Sequence, residues 1–150
     1  KVADALDRAR CGTIHGDLNF PNILWSITTG QPKLLDPRGV FGRCIPPEGD
    51  VHYDLAKLRY AYHGGFPAIV HGLYDLEWHD DEVQFTIGSG RSRQLTEKLD
   101  AVIGRYGDLE LVKLLEVVTC LAAPAVHESN EREAVALYIR GVQLAHELIR

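Results

Sequence analysis

Cysteine is scarce in this sequence, and it contains neither a long hydrophobic run nor a cluster of basic residues. The three cysteines, Cys11, Cys44 and Cys120, form no C-x-x-C pair, which argues against a disulfide framework and a structural zinc site. We therefore expect a reducing, cytoplasmic environment. No stretch of about eighteen apolar residues occurs, so no membrane span is predicted. A net charge of −5 with scattered basic residues argues against nucleic acid as a partner.

The remaining composition is that of an ordinary folded domain. Hydrophobic residues make up 45% of the 150 residues and charged residues 25%. A chain of this length buries about 70% of the surface that its unfolded form exposes. We therefore expect a single domain over residues 1–150.

The most informative stretch, residues 14–25, joins a polar loop to an apolar run. Asp17 and Asn22 are five residues apart, as in the H-R-D-x-x-x-x-N catalytic loop of protein kinases. The following residues predict a hairpin, with strands at 23–27 and 33–35 around a turn at 28–32. Such a hairpin brings Asp36 next to Asn22.

These side chains suit phosphoryl transfer from ATP. Magnesium neutralises charge on the β- and γ-phosphates and prefers hard oxygen ligands, so Asp36 and the amide oxygen of Asn22 are candidate ligands. The hydroxyl that accepts the phosphoryl group must be oriented and must lose a proton. The carboxylate of Asp17 is the candidate group for both tasks.

Three blocks resemble the aminoglycoside phosphotransferase and choline kinase family, which has a protein-kinase-like fold. They are His-Gly-Asp-Leu-x-x-x-Asn at 15–22, Leu-Leu-Asp-Pro-Arg-Gly at 34–39 and Gly-Asp-x-x-Tyr-Asp-Leu-Ala at 49–56. The amino-acid sequences of these blocks are also similar to those of sugar kinase-like domains of bacterial capsule and polysaccharide proteins. The resemblance implies an α+β, mainly helical C-terminal lobe with small β-hairpins. It further implies that Asp17 is the catalytic base, that Asn22 and Asp36 bind Mg²⁺, and that His15 and Asp54 support the loop.

The sequence departs from this family in two places. The family's Asp-Phe-Gly-like position reads Asp36-Pro37-Arg38, so no phenylalanine switch is available. A glycine-rich loop and a strand lysine, which should precede the catalytic loop, are not found in this sequence. We therefore expect this chain to be the C-terminal lobe of a larger protein, inactive without its nucleotide-binding lobe. The exposed lobe face also leads us to expect association, either with that lobe or between copies.

Four residues near the motifs have competing interpretations. For His15 we favour hydrogen bonds to nearby backbone over a role as base. Asn19 makes either a hydrogen bond within the loop or a contact with substrate. Arg38 pairs with a carboxylate of the site, contacts phosphate or contacts an acidic substrate. For Asp54 we favour acceptance of loop N–H groups over an exposed pair with Lys57 or Arg59.

Outside the motifs the sequence predicts mostly helix. Expected elements are a helix at 2–9 closed by Cys11-Gly12, an irregular loop at 39–50, a helix from the N-cap Asp50 to Gly64-Gly65, a hairpin at 74–87 and three final helices. Apolar stripes are predicted at Val51, Leu55, Leu58 and Tyr62, at Leu95, Leu99, Val102 and Tyr106, at Leu111, Leu115, Val118 and Ala122, and at Val135, Tyr138, Val142, Ala145 and Ile149. The second of the three final helices is expected to be central, with Cys120 as a small core residue. Asn130 and Glu133 resemble a capping box.

The predicted function is Mg²⁺- and ATP-dependent phosphorylation of a hydroxyl on a small molecule: a sugar, an aminoglycoside or an amino alcohol. One alternative is an inactive kinase-like module that binds a protein or a polysaccharide precursor. Another is a metal-dependent hydrolase that uses Asp17 and Asp36.

Overall fold

The structure, a computed structural model, describes residues 4, 7–39, 45, 47–88, 93–127 and 130–150. Within these ranges the chain is α+β, with long helices and small two-stranded antiparallel sheets. The strands are β1 (Cys11–Thr13), β2 (Ile23–Ser26), β3 (Gln31–Leu34), β4 (Glu48–Asp50), β5 (Tyr74–His79) and β6 (Glu82–Ile87). The α-helices are α1 (Val51–Tyr62), α2 (Phe66–Val70), α3 (Arg93–Tyr106), α4 (Leu109–Ala122) and α5 (Glu131–Ile149).

Both predicted hairpins are confirmed. In the first, Ile23 of β2 pairs with Leu34 of β3, and the return strand begins at Gln31, two residues earlier than predicted. In the second, Tyr74 pairs with Ile87 at the open end of β5 and β6. Its turn holds Asp80 at φ 48°, the left-handed backbone that two-residue hairpin turns require.

The segments on either side of the polar loop form a small sheet that was not predicted. Cys11, which was expected to close a helix, pairs instead with Asp50, so β1 and β4 lie antiparallel. Half of the helix predicted at 2–9 lies outside the described residues; Asp4 is helical, whereas Asp7 and Arg8 are in a turn. Much of the predicted loop at 39–50, including Cys44, is also outside them. The sheet ties both ends of the loop region to the start of α1.

Helix α1 begins and ends where the sequence predicts. The carboxylate of Asp50 accepts the backbone N–H of His52, as an N-cap does. Its buried face is different from the predicted stripe, since Ala56 and Tyr60 are buried whereas Leu58 and Tyr62 are only partly covered. The stripe prediction assumed a single covered face, but this helix has neighbours on two sides.

The apolar stripes of α3 and α5 were also predicted wrongly. Leu95, Val102 and Tyr106 of α3 are largely exposed, as are Tyr138, Val142 and Ile149 of α5. The buried face of α5 follows Gly141 instead, where a Cβ atom would lie 2.6 Å from the Leu121 side chain of α4. The close crossing at Gly141 sets the face of α5 that is buried, and Ala136, Leu137 and Leu144 lie on it.

Helix α4 is central, as predicted, because it packs against both α1 and α5. Buried side chains of the main core come from α1, α2, α4, α5 and the second hairpin; they include Tyr60, Ile69, Leu76, Phe85, Val117, Cys120, Leu137 and Leu144. Cys120 is a core residue whose thiol donates to the Leu137 carbonyl, and burial raises its pKa to about 12. Asn130 caps α5 by accepting the Glu133 N–H, which confirms the predicted start. Among the described helices, none has the length and apolar character needed to cross a membrane.

Candidate functional site

The polar loop at residues 14–22 is attached to α1 through Asp54. One carboxylate oxygen accepts the His15 N–H at 2.6 Å and the other accepts the Gly16 N–H at 2.9 Å. Gly16 has φ 79°, a left-handed conformation that glycine adopts without steric cost. The expected contact between Asp54 and loop N–H groups is therefore present. Lys57 and Arg59, the alternative partners, bond to other carboxylates.

His15 connects the loop to the first hairpin through backbone groups. Its Nε2 lies 2.8 Å from the Leu35 carbonyl oxygen, and its Nδ1 lies 3.3 Å from the Asp17 backbone nitrogen. A neutral imidazole protonated on Nε2 satisfies both contacts, because Nδ1 then accepts the Asp17 N–H. These are the backbone contacts that the favoured interpretation of His15 predicts.

Asn22, at the end of the loop, is bonded back to Asp17 near its start. Its side-chain nitrogen donates to the Asp17 carbonyl oxygen at 2.9 Å. Its own carbonyl oxygen accepts the Leu35 N–H at 2.8 Å. Because Asp36 follows Leu35, the hairpin brings Asp36 beside Asn22, as the sequence predicts.

The carboxylate of Asp17 is buried at the centre of this arrangement. Oδ1 lies 2.9 Å from the Lys57 ammonium and 3.2 Å from the Asn19 amide nitrogen. Oδ2 lies 3.3 Å from the Arg38 guanidinium and 3.5 Å from the Asn22 amide nitrogen. Burial opposes ionisation, but the Lys57 and Arg38 cations and the Asn19 amide hold the pKa of Asp17 below its usual value. The group is therefore a carboxylate at neutral pH.

For Asn19 and Arg38, the structure contains one of the contacts that the sequence left open. Asn19 makes the hydrogen bond within the loop, while its Oδ1 is buried without a hydrogen-bond partner among the described residues. Arg38 pairs with a carboxylate of the site, Asp17, through a side chain that is 66% exposed. The substrate or phosphate contacts of both residues stay predictions.

Asp36 has an unusual backbone for its residue type. Its φ is 54°, and it precedes Pro37, which ordinarily pushes the residue before it into extended conformations. Aspartate tolerates left-handed backbone better than most side chains do, yet the conformation still costs free energy. Its side chain is exposed. Strain at an exposed carboxylate next to Asn22 favours a functional interpretation of Asp36.

Lys57 is the residue of this site that the sequence interpretation missed. It lies three residues after Asp54, so the two side chains share a face of α1. The Asp-x-x-Lys spacing could have identified Lys57 as a site residue. If Asp54 faces the loop, a residue three positions later on the same helix faces it as well. The sequence interpretation considered Lys57 only as a partner of Asp54.

Two cavities lie on the opposite side of α1 from Asp17. Their volumes are about 360 and 350 Å³, and His63 and Glu147 line both. Several of their charged side chains pair with one another: Arg59 with Asp100 and Glu116, Lys113 with Glu110, and Arg140 with Glu147. A set of mutually paired charges is typical of a structural network, so the site remains at the Asp17 loop.

Comparisons with models of protein families, with curated proteins and with solved structures found no match to this chain.

Proposed function

We propose that this chain is the C-terminal lobe of a kinase-like phosphotransferase that moves the γ-phosphoryl group of ATP to a hydroxyl of a small molecule. One observation carries the proposal. A single loop presents the Asp17 carboxylate, is held through two N–H groups by Asp54, and is closed by the Asn22 amide on the Asp17 carbonyl. Asp36, the proposed second carboxylate, directly follows Leu35, whose N–H donates to the Asn22 carbonyl oxygen.

Asn22 and Asp36 fit a magnesium ion by the chemistry of their donor atoms. The Asn22 nitrogen is committed to the Asp17 carbonyl, and no donor among the described residues bonds to its side-chain oxygen. In the described part of the chain, no group of three or more His, Cys, Asp or Glu side chains is arranged to hold a metal. One carboxylate and one amide oxygen suit Mg²⁺, which takes its other ligands from phosphates and water. When bound, Mg²⁺ neutralises charge on the nucleotide phosphates.

The proposed chemical role of Asp17 is to orient the acceptor hydroxyl and to take its proton. The hydroxyl oxygen forms a bond to the γ-phosphorus, the bond from that phosphorus to the bridging oxygen breaks, and ADP leaves. The hydroxyl proton passes to the Asp17 carboxylate. The lowered pKa of Asp17 means that the group is ionised before the acceptor arrives, so it can accept a hydrogen bond from the hydroxyl and orient it. His15 and Asp54 support the loop without touching the reacting atoms.

Arg38 and Asn19 are proposed to contact substrate or phosphate. Arg38 is largely exposed beside Asp17 Oδ2 and can turn toward an incoming anion. Asn19 points its NH₂ group at Asp17 Oδ1, so it lies beside the carboxylate that is proposed to meet the acceptor. Both residues therefore border the position proposed for the acceptor.

The test uses the natural full-length protein with ATP, Mg²⁺ and a panel of sugars, aminoglycosides and amino alcohols. We expect transfer to at least one acceptor, and Asp17→Asn should lower kcat by about 10²–10⁴-fold while ATP binding persists. Asp75→Asn, on an exposed position of β5, is the matched control and should keep normal turnover.

Other outcomes would point to different functions. Phosphate release without an acceptor, lost in Asp17→Asn, would indicate a hydrolase. Binding of an acceptor without any turnover would indicate a binding module. Normal turnover in Asp17→Asn would contradict the role given to this carboxylate.

A further inference from the structure

We infer that Lys57 is a positioning residue that holds Asp17 Oδ1, so that Oδ2 is the oxygen that faces the acceptor hydroxyl. The inference rests on the proposed function, because it assigns the two oxygens of the proposed base. Lys57 itself is not expected to touch the reacting atoms.

The two oxygens of Asp17 have different surroundings. Oδ1 is held at 2.9 Å by Lys57 and at 3.2 Å by Asn19. Oδ2 has a 3.3 Å contact with Arg38 and a long 3.5 Å contact with Asn22, whose amide nitrogen bonds mainly to the Asp17 carbonyl. An incoming hydroxyl therefore competes with fewer short contacts at Oδ2.

The two cations beside Asp17 also differ in how far their side chains are enclosed. The Lys57 side chain is 13% exposed, and its ammonium lies 5.3 Å from the centre of the buried Tyr60 ring. A largely enclosed stem and a cation–π contact restrict its rotamers. The Arg38 side chain is 66% exposed, so it can leave Oδ2 at little cost. Lys57 is thus suited to a fixed contact, and Arg38 to one that is exchanged for substrate.

Helix α1 contacts both the backbone of the loop and the side chain of Asp17. Asp54 holds the N–H groups of His15 and Gly16, and Lys57, three residues later, holds the carboxylate of Asp17. Three consecutive loop residues are therefore fixed by two residues of one rigid helix. A misplacement of about 1 Å in a reacting group can lower the rate about 10²-fold. Loss of the contacts that hold the loop should therefore lower kcat.

The kinetic test compares Lys57→Ala, Lys57→Gln and Lys57→Arg in the full-length protein. We expect Lys57→Ala to lower kcat by about 10²-fold with little change in the KM for ATP. Lys57→Arg should recover at least a tenth of the wild-type kcat, and added ethylammonium should raise the kcat of Lys57→Ala at least fivefold. Lys57→Gln keeps a donor without the charge and should lie between. Lys113→Ala, which removes a lysine paired with Glu110 at 2.8 Å on the surface, is the matched control and should keep normal kcat.

Structural readouts separate this inference from the proposed function. In crystal structures of Lys57→Ala and Lys57→Gln, we expect the Asp17 carboxylate to rotate away from its wild-type orientation. In ¹⁵N-lysine NMR, the Lys57 ammonium signal should shift in Asp17→Asn and not in Asp75→Asn. These results would support the contact even if the wild-type protein transferred no phosphate, in which case only the proposed function would fail.

Three results would overturn the inference. They are a wild-type kcat in folded Lys57→Ala, an Asp17 carboxylate that stays in place in both crystal structures, and a Lys57 signal that does not respond to Asp17→Asn.

Discussion

Helix α1 carries charged side chains on two opposite faces, and the two faces use them differently. On the core face, Arg59 pairs with Glu116 of α4 and with Asp100 of α3. On the loop face, Asp54 and Lys57 both engage the loop at residues 15–17. Burial alone does not separate them, because buried ionic groups occur on both sides.

The two faces differ in the residues on which their series of ion pairs and hydrogen bonds end. On the core face they end on other helices, and Glu116 has both oxygens engaged, by Arg59 and by His63. On the loop face they end on Asp17, whose Oδ2 meets an exposed arginine. A closed network stabilises helix packing, whereas the loop-face network ends on the carboxylate that we propose as the base. The following predictions test this difference, from the largest expected effect on stability to the smallest.

Breaking the core-face network should cause the largest loss of stability. Glu116→Ala leaves the buried Arg59 guanidinium without its main carboxylate, and we expect the free energy of unfolding to fall by about 3–5 kcal/mol. Urea unfolding followed by circular dichroism measures this change. Glu110→Ala on the same helix, which breaks an exposed pair with Lys113, is the control and should cost about 0–1 kcal/mol. Equal losses in the two variants would contradict a structural network at Glu116.

Breaking the loop face should cost less stability and more activity. Asp54→Ala removes the acceptor of two loop N–H groups, and we expect a loss of about 2 kcal/mol in stability. Because the two N–H groups use different oxygens of Asp54, Asp54→Asn keeps only one acceptor and should be intermediate. Phosphoryl transfer by the full-length protein should fall in both variants.

The same pair of assays separates the two faces of α1. Glu116→Gln, if folded, should keep its kcat, since it does not contact the loop. A variant of Asp54 that kept full transfer while losing stability would show that the two faces are equivalent.

Removing Asp108, a charged residue outside both networks, should have the smallest effect on stability. The sign of the pH dependence of that effect follows from the pKa shift of Asp108. Asp108 caps α4; hydrogen bonding to the Leu111 N–H and pairing with Arg8 hold the pKa of its carboxyl below its usual value. Its contribution is therefore full above the usual pKa of about 3.8 and is lost as the pH falls through the lower folded-state pKa.

Asp108→Ala should lower stability by about 1 kcal/mol at pH 7. Unfolding curves of the wild type and the variant, measured from pH 7 down to strong acid, should converge only below about pH 4. Convergence at a higher pH would show that the carboxyl is not stabilised in its ionised form.

Much of the candidate site could be predicted from local spacing. The distance from Asp17 to Asn22, the hairpin that returns to Asp36, and the Asp50 cap that starts α1 all depend on neighbours in the chain. Turn length, strand alternation and capping act over a few residues, so the sequence shows them directly. The positions of Asp36 beside Asn22 and of both hairpins followed from these rules.

Lys57 and the buried helix faces needed the tertiary structure. The sequence alone determined both hairpins, the capped starts of α1 and α5, and the order of the polar groups along the loop. The fold decided which face of each helix is covered, and it covered Arg59 of α1, Ile103 of α3 and Gly141 of α5 in place of the predicted stripes. The partners of Arg59 lie 41 and 57 residues away in the chain. Long-range packing of this kind is chosen by the closeness of helix crossings and by the pairing of buried charges, and neither follows from hydrophobic periodicity.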